Sequence, residues 1–269
     1  MRSIAEASRS LKERIGDAGT PPLVGLFCST PASLSVELIA AAGFDFTVID
    51  LEHTLIDGST LNAMLLAARA SGIAALVRVV APHQVVQVLD AGAQGIVVPR
   101  VRTAHEARLA VRSAYHAPLG YRGLNSTATN GFGRDDLAQS VLQASNDTLV
   151  VAMIEDRTGL DSLDDIASID GIDVLLGGAA DLSQDLGIPW QTGHAEIRSA
   201  LARIEATARK HGKAFCALPR NADEIATVHR CGTRLLIAGD DRGIARRAMV
   251  EQLHACKIFK GFGNESNFG

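Results

Sequence analysis

Short apolar runs alternate with helical patterns along nearly the whole chain, and this alternation constrains the fold more than any other feature. Leu23–Cys28, Phe46–Asp50, Ala75–Val80, Gly95–Pro99, Thr148–Ile154, Ile172–Leu176, Ala214–Leu218 and Arg234–Ala238 have the length of strands and are apolar almost throughout. That is the signature of strands covered on both faces in a parallel sheet. Helices are expected over Ser33–Ala42, Leu61–Ala70, His83–Ala91 and Ala104–Ala114, from Asp135, around Leu160–Ile169, and over Ala195–His211, Asp223–His229 and Ile244–Cys256. Glycines such as Gly43, Gly72 and Gly92 stop several of them. Eight such units close a (β/α)8 TIM barrel, an α/β fold. The competing architecture, an open doubly wound sheet, would carry Gly-x-Gly-x-x-Gly after its first strand, and Cys28-Ser29-Thr30-Pro31 is nothing like it.

No repeat or low-complexity linker divides the chain. A single barrel domain over residues 1–269 is expected, with an N-terminal helix over about 1–20 and a flexible tail over about 258–269. The glycine-rich segment Ala117–Arg134 is too long for a routine connection and reads as an active-site or interface loop. A net charge of -4 offers no electrostatic footprint for nucleic acid. No stretch approaches the roughly 18 uninterrupted apolar residues of a membrane span, and the first residues have no signal-peptide core. The partners expected are small molecules and other copies of the chain, in the cytoplasm. Cys28, Cys216, Cys231 and Cys256 lack Cys-x-x-Cys spacing and are expected to be reduced.

In a barrel the carboxyl ends of all eight strands face one mouth, however distant in sequence. Phe46-Thr-Val-Ile-Asp-Leu-Glu-His53 ends in Asp50, Glu52 and His53; Arg78 lies late in the third strand, Glu155 follows the fifth, and Asp181 follows the sixth. Glu155 and Asp181 come from adjacent strands. Together they would offer two hard oxygen ligands to a divalent ion such as Mg²⁺ or Mn²⁺, unless Asp181 only caps a helix and Glu155 only pairs with Arg157. His53 suits general base work, or a structural hydrogen bond. Arg78 interrupts an apolar run, and a buried guanidinium needs an anion: a neighbouring carboxylate such as Asp50 or Glu52, or a substrate carboxylate or enolate oxygen. Gly177-Gly178 admits either a tight turn or a close approach of backbone amides to an anion. Ser29 and Cys28 lack the local signature of a nucleophile.

Taken together, these stretches resemble the metal-dependent 2-oxo-acid (pyruvate) aldolases of the HpcH/HpaI aldolase and citrate lyase family. The likeness runs from about Gly25 to Gly239. It rests on Asp50-Leu51-Glu52-His53, on Leu76-Val77-Arg78-Val79, on Asp90-Ala91-Gly92-Ala93-Gln94-Gly95-Ile96-Val97-Val98-Pro99, on Gly120-Tyr121-Arg122-Gly123, and on Ile154-Glu155 with Ala180-Asp181-Leu182-Ser183. The resemblance implies a divalent ion (Mg²⁺, Mn²⁺ or Co²⁺) on Glu155 and Asp181, chelated by a 2-oxo acid that Arg78, Gly178, Ala179, Ala180 and Asp181 also bind. His53, oriented by Asp50 or Glu52, would move the proton, and Arg78 would stabilise the enolate oxygen. The implied reaction is reversible cleavage of a 4-hydroxy-2-oxo acid to pyruvate or a related acid plus an aldehyde, with no Schiff-base lysine. A citrate-synthase-like condensation of oxaloacetate with acetyl-CoA and a non-catalytic acid-binding barrel are the alternatives. A homo-oligomer, trimer or hexamer, is implied as well. Three positions depart from the family pattern, Leu51 for glycine, Met153 for glutamine and Ala179 for proline, so the acceptor substrate is the point most open.

Overall fold

The computed structural model describes residues 9–17 and 19–258. Eight strands form one closed barrel in sequence order: β1 (Leu23–Cys28), β2 (Phe46–Asp50), β3 (Ala74–Arg78), β4 (Gly95–Val98), β5 (Leu149–Ile154), β6 (Val174–Gly177), β7 (Ala214–Ala217) and β8 (Leu235–Asp240). Each is parallel to the next, and β8 returns to pair with β1. The helices are α1 (Leu11–Gly16), α2 (Ser33–Ala41), α3 (Gly58–Ser71), α4 (Pro82–Asp90), α5 (Ala104–Ala114), α6 (Leu137–Asp147), α7 (Arg157–Asp161), α8 (Leu163–Ala167), α9 (Ala179–Asp185), α10 (Ala195–Lys210), α11 (Ala222–Arg230) and α12 (Asp241–Ile258). Among the described residues no helix is long and apolar enough to cross a membrane. All four cysteines are free.

The period of two along each strand sorts the core into two shells. Phe46, Val48, Leu76, Leu149, Val151, Met153, Val174, Leu176, Leu235 and Ile237 fill the barrel interior. The intervening residues, among them Ile49, Val77, Ile96, Val150, Ala152, Ile154 and Leu175, pack outward against the helices. Interior packing pairs large with small: the ring of Phe46 occupies the space a Cβ on Gly25 would need, and Gly25 is its register partner on β1. At Gly95 a Cβ would meet the Leu149 carbonyl oxygen at 2.2 Å, so β4 approaches β5 only because that position has no side chain.

Several expectations are corrected. The N-terminal helix is short on the described residues, running only from Leu11 to Gly16. Ser10 and Glu13 close a capping box at its start, and Asp17 turns extended at its end. Leu11 is inserted fully into the barrel interior, and Lys12 reaches Asp173 (2.9 Å) and the Tyr115 hydroxyl (3.0 Å), so the helix seals the bottom of the barrel. Residues 1–8 of that expectation, and nearly all of the tail expected over 258–269, lie outside the described residues. The helix around Leu160–Ile169 is broken in two at Ser162. Asp181 does not cap a helix: Gly178 holds that place and Asp181 lies inside the first turn of α9.

The long segment between α5 and α6 does not border the mouth. It follows the end of α5, away from the strand ends of the mouth, where Arg122 reaches the Asp90 carboxylate at the end of α4 at 2.6 and 3.2 Å and the Asn130 side chain bonds the backbone of Thr127, Asn125 and Gly133. That placement keeps the segment away from the mouth of its own barrel. Gly95→Ala is expected to destabilise the protein by about 2–3 kcal/mol, because the clash is with backbone that cannot swing away. Chemical denaturation of the variant beside wild type measures it.

Candidate active site

The parity that fills the barrel also builds its mouth. In β2, Phe46 and Val48 face inward, so Asp50 does too; in β3, Leu76 is followed by Arg78, and in β5, Met153 by Glu155. Each strand thus continues its apolar inward set with one polar residue where the layers of the core run out. A cleft of about 1020 Å³ lies there, lined by Phe27, Ser29, Asp50, His53, Arg78, Met153, Glu155, Gly178, Ala179, Ala180 and Asp181, and further out by residues of the loops after β6, β7 and β8.

Asp50 and Arg78 are register partners on adjacent strands. The carboxylate accepts two parallel bonds from the guanidinium, at 2.8 Å from Nε and 2.7 Å from Nη2, while Nη1 stands 3.2 Å from Glu52. The Arg78 guanidinium also lies 4.8 Å from the centre of the Phe27 ring. Burial opposes charge on both partners, but the bidentate bond and the opposite charge hold the Asp50 carboxyl below the usual carboxylate range and Arg78 above its own. Asp50 accepts further bonds from the backbone N–H groups of Glu52 (3.0 Å) and His53 (3.3 Å), and from the Ser29 hydroxyl at 3.5 Å. Asp50 therefore fixes the backbone that carries His53. The imidazole itself has Glu52 as its charged neighbour, with Nε2 3.8 Å from the carboxylate, and is half exposed.

Glu155 is 3% exposed, and its carboxyl is pushed up to about 7. Burial is the largest cause; the charges of Asp181 and Glu52 add to it, while the N–H of Arg100 and the charge of Arg78 oppose it. The Arg100 N–H donates to Glu155 at 2.8 Å. A Cβ on Gly178 would stand 2.5 Å from the Glu155 carboxylate oxygen, so the glycine is required by the close approach of that carboxylate. Glu52, Glu155 and Asp181 thus crowd one side of the mouth with hard oxygen donors, an arrangement that favours a cation. Among the described residues no group of three or more His, Cys, Asp or Glu side chains is placed to ligate an ion.

Sequence reasoning misses Arg100. It follows Pro99 directly, in the left-handed region at φ 52, where a non-glycine residue is held only by surrounding structure. Its guanidinium stands 3.5 Å from both Glu52 and Asp181. Phe27, Met153, Leu218 and Ile237 on the cleft wall are legible from strand parity; Trp190, Arg220, Arg242 and Arg247 are not, because they come from loops and a helix start. The Glu155–Arg157 pair does not form among the described residues; Arg157 meets Asp185 instead, at 4.0 Å. Cys28 is buried and its thiol is pushed up to about 12, first by burial and then by the charge of Asp241, which leaves it inert as a nucleophile. Among the described residues no lysine lines the cleft.

Residues 23–248 match the family model described as HpcH/HpaI aldolase/citrate lyase. Two curated relatives come from Klebsiella pneumoniae subsp. pneumoniae. A 5-keto-4-deoxy-D-glucarate aldolase is 32% identical over 237 residues, which is 87% of this chain and 92% of the relative. A 4-hydroxy-2-oxo-heptane-1,7-dioate aldolase is 34% identical over 228 residues, 84% of this chain and 86% of the relative. Among solved structures, the crystal structure of citrate synthase SbnG superposes with a TM-score of 0.87 at 39% identity, covering 94% of this chain and 99% of that one.

The buried Glu155 makes stability depend on pH. Its folded value lies above the ordinary 4.5, so its favourable contribution is complete at low pH and is lost as the pH rises to about 7. Without metal, Glu155→Gln is expected to escape that loss and to exceed wild type in stability by about 2–3 kcal/mol near pH 8, the difference closing toward pH 4.5. Urea denaturation in chelator across that range reads it out.

Proposed function

The chain belongs to the HpcH/HpaI aldolase/citrate lyase family and is a carbon–carbon lyase; from that premise we propose that it reversibly splits a 4-hydroxy-2-oxo acid into pyruvate, or a related 2-oxo acid, and an aldehyde. The observation that carries the reading is the presence in one cleft of the Asp50-locked Arg78 and the carboxylates Glu155 and Asp181, with Gly178 admitting the close approach of Glu155. Enzymes of this family depend on a divalent metal ion.

Glu155 and Asp181 would hold that ion, Mg²⁺, Mn²⁺ or Co²⁺, and when bound it supplies Lewis acidity at the keto oxygen of the 2-oxo acid. The residues of the chain do the rest. Gly178, Ala179 and Ala180 leave the backbone beside Asp181 open for the substrate carboxylate. Arg78 cannot turn away, because Asp50 holds two of its nitrogens, and its fixed positive charge stabilises the oxygen on which negative charge builds as the carbon–carbon bond breaks. His53 moves the proton: it takes one from the 4-hydroxyl during cleavage and exchanges one with the methyl carbon of pyruvate. Its exposure connects it to solvent, and the adjacent Glu52 stabilises the imidazolium. Phe27, Met153 and Ile237 keep part of the cleft wall apolar. Among the described residues no lysine is placed for a Schiff base, and none is needed when the methyl proton is acidified by a Lewis acid.

The 39% likeness to citrate synthase SbnG favours a second reading on the same residues, condensation of oxaloacetate with an acetyl thioester. The two separate by product. With metal restored after chelation, the first reading expects pyruvate release from 4-hydroxy-2-oxo acids; the second expects thiol release from acetyl-CoA and oxaloacetate. Absence of both, together with no decarboxylation of oxaloacetate, would sink the enzymatic reading. Glu155→Gln and Asp181→Asn are each expected to lower kcat by about a thousandfold, and His53→Asn by about a hundredfold to ten-thousandfold, in a coupled pyruvate assay.

The reading extends to assembly. The last helix, α12, leaves the apolar side chains of Met249, Val250 and Leu253 exposed. A homo-oligomer, trimer or hexamer, would cover them, and light scattering on the eluting protein is expected to show a multiple of the 28.3 kDa chain mass.

A further inference from the structure

The outer wall of the cleft carries groups that chemistry on a small 2-oxo acid does not use. A space of about 1020 Å³ takes a ligand of drug size, far larger than pyruvate. Trp190, Arg220, Arg242 and Arg247 line its outer part. Arg220 comes from the loop after β7, and its backbone N–H donates to Glu224 (2.8 Å), which fixes the residue while its guanidinium lies 5.6 Å from the centre of the Trp190 ring. Arg242 and Arg247 rise from the first two turns of α12. The Arg247 Nη1 is 3.4 Å from the point a Cβ on Gly243 would occupy, so the side chain folds back over the helix start toward the mouth. None of the three guanidinium groups meets a carboxylate among the described residues. The acids nearby are engaged by backbone: Glu224 by the Arg220 N–H, Asp241 by the N–H groups of Ser29, Thr30 and Arg242, and Asp240 by the Gly243 N–H at 2.7 Å.

Trp190 is held there by construction. It is 76% exposed and sits at φ 68, a conformation that costs a bulky residue about 1–2 kcal/mol. Its N–H donates to the Ser183 hydroxyl (2.9 Å), which donates in turn to the Ala180 carbonyl (2.6 Å), on the same short helix that carries Asp181. A strained backbone that displays an indole at the edge of a cleft is a feature of ligand clamps.

We propose that this rim is a subsite for the second substrate, and that this substrate carries a phosphate group remote from its reacting carbon. Arg220, Arg242 and Arg247 bind the phosphate, and Trp190 covers the organic part next to it. The proposal rests on the aldolase reading for the identity of the first substrate. Three guanidinium groups without a counter-ion exceed what a single carboxylate neutralises; a phosphate monoester has nearly two charges and three acceptor oxygens that accept guanidinium forks from several directions. Two sources have this chemistry: a phosphorylated aldehyde, and the nucleotide phosphates of a coenzyme A thioester.

Calorimetry on the full-length, metal-loaded protein tests the rim without requiring turnover. D-glyceraldehyde 3-phosphate is compared with D-glyceraldehyde, and coenzyme A with pantetheine. In one pair the phosphate-bearing member is expected to bind wild type at least about tenfold more tightly, and R220Q/R242Q/R247Q to bring that ratio to near unity. The pair that shows the preference identifies the source. The proposal is overturned if neither pair shows it, or if the preference survives the triple substitution. Deuterium exchange into the methyl group of pyruvate, followed by NMR with no acceptor present, tests the aldolase reading separately: its absence counts against that reading, whereas exchange without a phosphate preference counts against the rim alone.

Discussion

Closure of the parallel barrel is the constraint from which the site follows. Once each strand pairs with the next and β8 returns to β1, alternate residues of every strand must point into one narrow interior. That interior is filled by Phe46, Val48, Leu76, Leu149, Val151, Val174, Leu176 and their neighbours, with Gly25 yielding its volume to Phe46. The inward set cannot change phase, so the next inward positions at the open end belong to whatever residues come next: Ser29, Asp50, Arg78, Glu155 and Gly178. The polar floor of the cleft is the continuation of the hydrophobic core by the same period.

Electrostatics then divides that floor into two halves. On one side Arg78 and Asp50 satisfy each other through two bonds, so burial is offset by pairing and both remain charged. On the other, Glu155 is buried beside the like charges of Asp181 and Glu52, the Arg100 N–H and the charge of Arg78 only partly offset this, and its carboxyl moves up to about 7. A carboxylate in that condition gains most from a bound cation. Arg100 supplies positive charge nearby, from a strained backbone position, but it is half exposed and 3.5 Å from each partner, a weak pairing. The polar half of the cleft is thus stabilised least by the protein itself.

Much of this is legible in the sequence. The bounds expected for β1 and β2 agree with the fold to the residue, because Pro22 and Gly43 punctuate the runs from outside. Asp50, Glu52, His53, Arg78, Glu155 and Asp181 all stand out as strand-end polar residues, and the structure gathers them at one end of the barrel. Choices between readings of one residue are less accessible. Asp181 as a helix cap and Glu155 as a partner of Arg157 are locally sensible, and tertiary geometry overrides both. The segment 117–134 has the composition of an active-site loop, but it follows the end of α5, away from the strand ends of the mouth.

The sequence by itself determined the fold and the chemical character of the site. Hydrophobic periodicity and glycine stops are local quantities, and eight parallel strands of this kind have one way to close. Only the tertiary structure decided which groups meet. That Asp50 grips Arg78 from two sides follows from strand register. Gly178 is needed because the Glu155 side chain crosses from β5 to β6. Trp190, Arg220, Arg242 and Arg247 share one rim because two loops and a helix start, after three different strands, lie beside one another. Register, side-chain crossing and loop path are relations between distant segments, and no window along the chain contains both partners.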